Sequence, residues 1–397
     1  MRARIDVTLA VAAVALGGWI ALAVSRGRFW VVELEKHHDV AAYREPSAPV
    51  EIVVPARNEG RTVGAAMASL VAQRYGGPLA ITLVDDDSSD DTASAARAAT
   101  AGLAESARFG IMRARRLERP WTGKLNALDA GVAFVRETRG APKFWLFTDA
   151  DIEHHPTNLA ELVAKAERDG LDLVSLMVRL RCESAWEKSL IPAFVFFFAK
   201  LYPFRWSNDL RRSTAAAAGG CVLVRAAALE RIGGLDAIAD RLIDDCALAA
   251  AIKSSGGSTW IGLTRKTASI RGYETLAPLW DMVKRTAFTQ LGRSYGTTLL
   301  ASVAMGLLYL APPALTFYGI RRADARLTSV ATAAWVLMAT LYMPTLVAYG
   351  RRKREAFLLP FAAALYVAMT LDSAFAHVCG RGGIWKGRVH AQDRCAA

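Results

Sequence analysis

Cysteine is scarce. The five in 397 residues (Cys182, Cys221, Cys246, Cys379, Cys395) are scattered, odd in number and form no C-x-x-C pair, which excludes a disulfide scaffold and a zinc module. That usage fits a folded part facing a reducing compartment. Internal repeats and low-complexity segments are also missing, so no solenoid or repeat array is expected. Charge is absent altogether from position 7 to position 24, and acids are outnumbered over the whole chain, leaving a net charge of +12. Such a field attracts nucleic acid, anionic lipid and phosphate-bearing substrates alike. The basic residues lie beside apolar segments (Arg26, Arg28, Arg351, Arg352, Lys353, Arg354) and around Arg113, Arg115, Arg116 and Arg119. No aromatic platform of the base-stacking kind accompanies them, so a membrane surface and nucleotide phosphates are the expected partners and nucleic acid is not.

What is present is an α/β pattern between apolar ends. The composition is 53% apolar and 22% charged, with the apolar residues concentrated near both termini. The uncharged run 7–24 is just long enough to cross a hydrocarbon core, and basic residues follow it, which favours an uncleaved anchor (1–28) over a secretory signal. From about position 46 to 290, short apolar runs alternate with helical patterns: strands at 50–54, 79–84 and 144–147, helices at 61–73, 92–104 and 124–136. This order implies βαβ units and a mainly parallel sheet that binds ligand at the carboxyl ends of its strands. The stretch 186–206 has an uninterrupted apolar run too short to span, flanked by Trp186, Lys188, Lys200, Tyr202 and Trp206; a helix in the membrane interface is expected, with a buried core helix as the competing reading.

Three apolar stretches close the chain within 297–379: 297–320, 327–350 and 356–379, followed by a basic tail at 380–397. Each is long enough to cross. One anchor plus three spans would put the tail on the side opposite the catalytic part, against the positive-inside tendency. One of the three is therefore expected to be re-entrant or interfacial, with Pro312-Pro313 or Asp372 as its marker.

The chemistry sits after the strands. The first strand runs into Pro55-Ala-Arg-Asn-Glu59, and the second into Asp85-Asp-Asp-Ser-Ser-Asp90, where a carboxylate can accept from a nucleoside and the following helix N-terminus favours phosphate. Alone, such an Asp/Ser run is an ordinary turn or cap. The third strand precedes Thr148-Asp-Ala-Asp151; read as extended, it would turn Asp149 and Asp151 to one face and one metal. Lys124 opens a helix after Trp121-Thr-Gly, Gly219-Gly220 and Gly233-Gly234 mark turns, and Asp244-Asp245 opens another helix. Those paired acids could merely complement the helix dipole, or one could serve as a general base.

P-A-R-N-E, D-D-D-S-S-D, G-K, D-A-D, G-G, D-D and Lys284-Arg285, in this order over 50–285, resemble an inverting family-two glycosyltransferase of the GT-A (nucleotide-diphospho-sugar transferase) fold, a Rossmann-like α/β domain here carrying transmembrane helices at both ends. The stretches MVRLRCESAWEKSLIPAFVFFFAKLYPFRWSND, AAAAGGCVLVR, TAFTQL and WKGR resemble more narrowly the bacterial glycosyltransferases associated with hopanoid biosynthesis. The resemblance implies that Pro55, Arg57, Glu59 and Asp86 hold the nucleoside, Lys124 and Arg285 the diphosphate, Asp149 and Asp151 a divalent metal (Mg2+ or Mn2+), Asp149 thereby touching the nucleotide-sugar too, and that Asp245 is the base. It further implies a nucleoside-diphosphate sugar donor, with a UDP-sugar expected, a lipid acceptor, and a multi-pass protein of the bacterial inner membrane with its catalytic domain facing the cytoplasm. Three positions depart from the family pattern. Asp87 stands where Gly is common, Asp244 where Glu is common, and Lys284-Arg-Thr-Ala-Phe288 replaces the Q-x-x-R-W of processive synthases, which argues for one sugar per acceptor. The alternatives are a polyprenyl-phosphate sugar transferase and a silent nucleotide-binding scaffold; the intact Asp149, Asp151 and Asp245 speak against the latter.

Overall fold

The computed structural model describes residues 6–34, 47–101 and 108–383; most of the basic tail, including the WKGR stretch, and Cys395 lie outside them. A first helix, α1 (Val7–Ser25), is capped by Asp6, whose carboxylate accepts from the Thr8 and Leu9 amides. The catalytic part then runs β1 (Val50–Ala56), α2 (Val63–Val71), β2 (Leu79–Asp85), α3 (Thr92–Thr100), β3 (Arg108–Arg113), α4 (Gly123–Arg139), β4 (Phe144–Phe147), β5 (Ile152–His154), α5 (Asn158–Arg168) and β6 (Leu173–Arg179). After these come α6 (Ala185–Leu201), α7 (Phe204–Ser207), β7 (Val222–Arg225), α8 (Ala226–Arg231), α9 (Asp244–Ser254), β8 (Thr259–Ser269) and α10 (Leu276–Gln290).

One eight-stranded sheet joins them in the order β3-β2-β1-β4-β7-β6-β8-β5. β1 is buried along its whole length, as a strand covered on both faces must be. It pairs in parallel with β2 (Ala56 opposite Asp85) and with β4 (Val53 opposite Phe147), so three strand ends open side by side on one edge. The expectation of a mainly parallel sheet holds there and gives way beyond β4 to a mixed arrangement: β7 runs antiparallel to both β4 and β6, and β5 antiparallel to β8, while β6 and β8 pair in parallel. That reversal is useful to the site. Because β7 enters from the edge where β4 leaves, Gly219 and Gly220 reach the same rim. Two cores flank the sheet, one packed around α2 and α5 and the other around α4, α8 and α9. Gly131 lets α4 approach closely, since a Cβ there would lie 2.6 Å from a Val53 methyl.

The C-terminal part comprises α11 (Tyr295–Met305), continued through a π-helical turn (Gly306–Leu310) into α12 (Ala311–Arg321), then α13 (Ala325–Ala348) and α14 (Leu359–Val378). Among the described residues, four helical stretches are long and apolar enough to cross a membrane: Val7–Ser25, Tyr295–Arg321, Ala325–Ala348 and Lys353–Val378. A third core ties the spans to the catalytic part. In it the stretch 186–206 is mainly helix α6, started by a capping box of Ser184 and Glu187, with Phe196 and Phe197 buried against Phe29, Tyr309, Tyr342 and Tyr366. Those two rings face neighbouring helices and are not free to meet lipid.

Candidate active site

At the rim, the loops after β1 and β2 are stitched together. The Arg57 guanidinium donates to the Asp86 and Asp87 carbonyls and lies 3.9 Å from the buried Asp86 carboxylate. Asn58 donates its amide to Ser88 and accepts from the Ser89 amide. Both Asn58 (φ 51°) and Asp87 (φ 58°) are left-handed, so the residue standing in place of the usual glycine keeps a glycine-like backbone, at about 1 kcal/mol. Pro55, buried, lines the floor of the cleft between β1 and α9.

Residues 148–151 do not continue the strand but bend into a turn at 150–151, where the Ile152 amide donates to the Asp149 carbonyl at 3.3 Å, and this corrects the expected shared face of Asp149 and Asp151. The turn is fixed from behind. The Thr148 hydroxyl donates to the Gly220 carbonyl and the Asn158 amide reaches His154 Nδ1, so the tautomer that satisfies all three has His154 Nε2–H donating to Thr148. Burial lowers the His154 pKa to about 3 and keeps the ring neutral. From this turn the two carboxylates part. Asp149 pairs with Lys124 at 3.0 Å, whereas Asp151, nearly buried, accepts from Arg271 Nε at 2.7 Å.

Arg271 is the residue that sequence reading missed. It also donates to both oxygens of Glu59 at 2.6 Å, so Glu59 and Asp151 share one guanidinium. Its loop is anchored by the buried Glu187, which accepts from the amides of Glu183, Ser184 and Tyr273. The available signal was its position two residues past β8, a strand that the alternation did not reveal.

The centre is Lys124, placed at the start of α4 by the Thr122 cap. Its ammonium lies 3.0 Å from Asp149 and 3.0 Å from Asp244. Burial works against its charge, but Asp149, Asp244 and Asp245 outweigh that and raise its pKa. Asp245, in the first turn of α9, accepts from the Gly219 and Cys246 amides, both at 2.7 Å. Burial and then the neighbouring Asp244 push its carboxyl up to about 6, against the pull of Lys124. Gly219 is needed here because a Cβ would stand 2.8 Å from the Lys124 ammonium. Arg285, on α10, is half-buried and makes no hydrogen bond or ion pair with the described residues, although it senses Tyr273, Asp149 and Asp244.

Thus Pro55, Lys124, Asp244 and Asp245 line one cleft, Asp149 joins it through its pair with Lys124, and Arg285 lies within electrostatic range of Asp149 and Asp244, with Arg57 and Asp86 at one side and Glu59 and Asp151 clamped on Arg271. No three His, Cys, Asp or Glu side chains converge as a cage among the described residues. Asp149, paired with Lys124 through Oδ1, is 37% exposed. That fits a hard divalent ion taking one protein carboxylate and its other ligands from phosphate and water.

Comparison with known proteins bears on the fold. Residues 51–233 match the model of Glycosyl transferase family 2, a stretch that stops short of Asp245 and Arg285. The mannosyltransferase PcManGT from Pyrobaculum calidifontis, solved with GDP-Man and Mn2+, superposes with a TM-score of 0.53 at 18% identity, covering 92% of this chain and 98% of its own. Glucosyl-3-phosphoglycerate synthase from Mycobacterium tuberculosis, solved with Mg2+ and uridine-diphosphate, gives a TM-score of 0.40 at 18% identity over 66% and 86%. No curated protein matches the chain. The fold is the GT-A glycosyltransferase fold, a curled mixed α/β sheet, with apolar helices long enough to span a membrane before and after it.

Proposed function

We propose that this chain, whose residues 51–233 carry a glycosyl transferase family 2 domain, is a membrane-bound inverting glycosyltransferase moving one sugar from a nucleoside-diphosphate donor to a lipid acceptor. The observation that carries the reading is Lys124 held between Asp149 and Asp244 with Asp245 beside it, at the rim where three strands end. Pro55, Arg57 and Asp86 flank the nucleoside, with Glu59 steadying Arg271 beside it. Lys124 and Arg285, which has no ion pair among the described residues, hold the diphosphate, whose charge grows as the bond to the anomeric carbon breaks. Asp245 takes the proton of the acceptor hydroxyl while that oxygen bonds the anomeric carbon from the opposite face, so the configuration inverts. A divalent ion, as in the PcManGT complex, would supply Lewis-acid stabilisation of the leaving diphosphate. Asp149 would hold it, and Asp151 would join only on release from Arg271.

Position supports a lipid acceptor: α6 and α10, the second carrying Arg285, are packed on the membrane-type helices. Orientation toward the cytoplasm of a bacterial inner membrane, and a part in hopanoid biosynthesis, are the finer form of this proposal, supported by the charge pattern and the resembling stretches. The purified protein in detergent with Mn2+ should release nucleoside diphosphate from a UDP- or GDP-sugar and transfer the sugar to a lipid extract. A product stable to mild acid is expected. A labile phosphodiester would redirect the reading to a polyprenyl-phosphate acceptor, and no release from any nucleotide sugar by folded protein would end it. Lipid mass spectrometry of a deletion strain tests the hopanoid assignment.

A further inference from the structure

The fourth span-length helix behaves unlike the other three. α1, α12 and α13 pack on one another, and their contacts run in register: Trp19 donates to the Leu308 carbonyl, and Ala12 is buried with Leu327 and Ala331. α14 packs instead along α6, α10 and α11. Its C-terminal half lies against a helix of the active site. Asp372 pairs with Lys284 at 2.8 Å and accepts from the Trp280 indole at 2.7 Å. Ser373 donates to the Lys284 carbonyl and accepts from the Phe288 amide, and the His377 ring stands 4.8 Å from Phe288. Lys284 is the neighbour of Arg285, which faces the catalytic acids.

A crossing helix cannot do this. Asp372 is about 20 Å along α14 from Leu359 at the usual rise, so a helix leaving from the catalytic side would carry it toward the far leaflet. The approach to α14 explains the return. α13 ends beside the catalytic part, with Tyr349 lining a pocket together with Met177 and Leu263. The chain then doubles back, because the Phe357 carbonyl accepts from the indole of Trp335, near the middle of α13, and the two rings lie 5.7 Å apart. From there α14 climbs past α6, where Tyr366 donates to the Leu190 carbonyl and meets the Phe197 ring.

We infer that residues 351–378 form a re-entrant hairpin that enters and leaves on the catalytic side, so that the protein crosses the bilayer three times. Its outward stripe of Leu358, Phe361, Leu371, Phe375 and Val378, each 47–65% exposed, is the surface that meets acyl chains of the leaflet beneath the catalytic part. Continuity with the exposed apolar faces of the crossing helices commits this stripe to lipid. Arg352, Lys353 and Arg354, exposed at the mouth of the descending limb, suit the phosphate layer. Residues 380–383, the described start of the tail, are then on the same side as Arg26, Arg28 and the 351–354 cluster, and the conflict with the positive-inside tendency disappears. Asp372 satisfies its charge against Lys284 and the Trp280 indole on the face turned to α10, away from the acyl chains.

The inference rests on the membrane reading but not on the chemistry. In a Cys182→Ala, Cys395→Ala background, Cys379 is left as the exposed thiol at the end of α14. A membrane-impermeant maleimide is applied to sealed vesicles of both orientations, with Cys379→Ala, Thr138→Cys as the reporter for the catalytic side and Cys379→Ala, Ala323→Cys for the α12–α13 turn. An epitope after Ala397 is read by antibody in the same vesicles and decides alone where lipid shields Cys379. Cys379 and the epitope should react in the orientation that exposes Thr138→Cys, opposite to Ala323→Cys. Reaction of the epitope together with Ala323→Cys overturns the hairpin, while donor hydrolysis measured in parallel keeps that failure distinct from a failure of the proposed activity.

Discussion

Asp245 accepts two backbone amides, which orient its carboxylate without exhausting its lone pairs, and it lines the cleft with Lys124. Asp245→Asn should therefore lower kcat by about two to four orders while donor affinity stays within a few-fold. Loss of donor binding would make Asp245 structural. A base must be unprotonated to act, and burial with Asp244 pushes this one up to about 6, so kcat/KM should climb about tenfold per pH unit below that value and level off above it. A profile flat from pH 5 to 8 counts against the assignment. The two acids of the 148–151 turn separate by their partners. Asp149→Asn should abolish the metal-dependent part of UDP affinity in titrations with and without EDTA. Asp151→Asn instead removes an anion from a guanidinium already tied to Glu59, and should lower the melting temperature more than Asp149→Asn does. Asp86, Asp149 and Asp245 were legible because they follow apolar runs or open a helix. Arg271 was not, because β8 alternates with Thr, Arg and Lys and only the sheet reveals that it ends beside β5.

Helices α6, α10 and α14 share one core, which joins the α/β part to the span-length helices. Since Phe196 and Phe197 sit in an aromatic cluster, Phe196→Ala or Phe197→Ala should cost about 3–5 kcal/mol, read as a lower melting transition in detergent. Phe375→Ala, on the outward stripe, should leave that transition unchanged. Equal effects would mean the core is packed differently. The Lys284–Asp372 pair is about one-third exposed on each side, so a double-mutant cycle should return a coupling of no more than about 1 kcal/mol. A composition of apolar and aromatic residues with lysine flanks suits both an interfacial helix and one lying beneath other helices. Sequence alone leaves that choice open because the two settings remove the same side chains from water.

At the level of the whole chain, the catalytic part is not separable from its membrane helices. A chain truncated after Gln290 would uncover Leu190, Ile191, Phe196 and Phe197, and should aggregate rather than elute as a soluble monomer on size exclusion. A monodisperse truncated form that binds UDP would show otherwise. The sequence by itself determined the α/β alternation, the family resemblance, the apolar ends and the acids that follow the strands, because periodicity, run length and strand-to-loop transitions are local properties. Tertiary structure decided the rest: the antiparallel β7 that brings Gly219 to the rim, the turn that parts Asp149 from Asp151, Arg271 shared by Glu59 and Asp151, and the return of α14 to α10. Each of these depends on pairing between segments distant along the chain, and the register of such pairing is set by packing and charge satisfaction that no local pattern encodes.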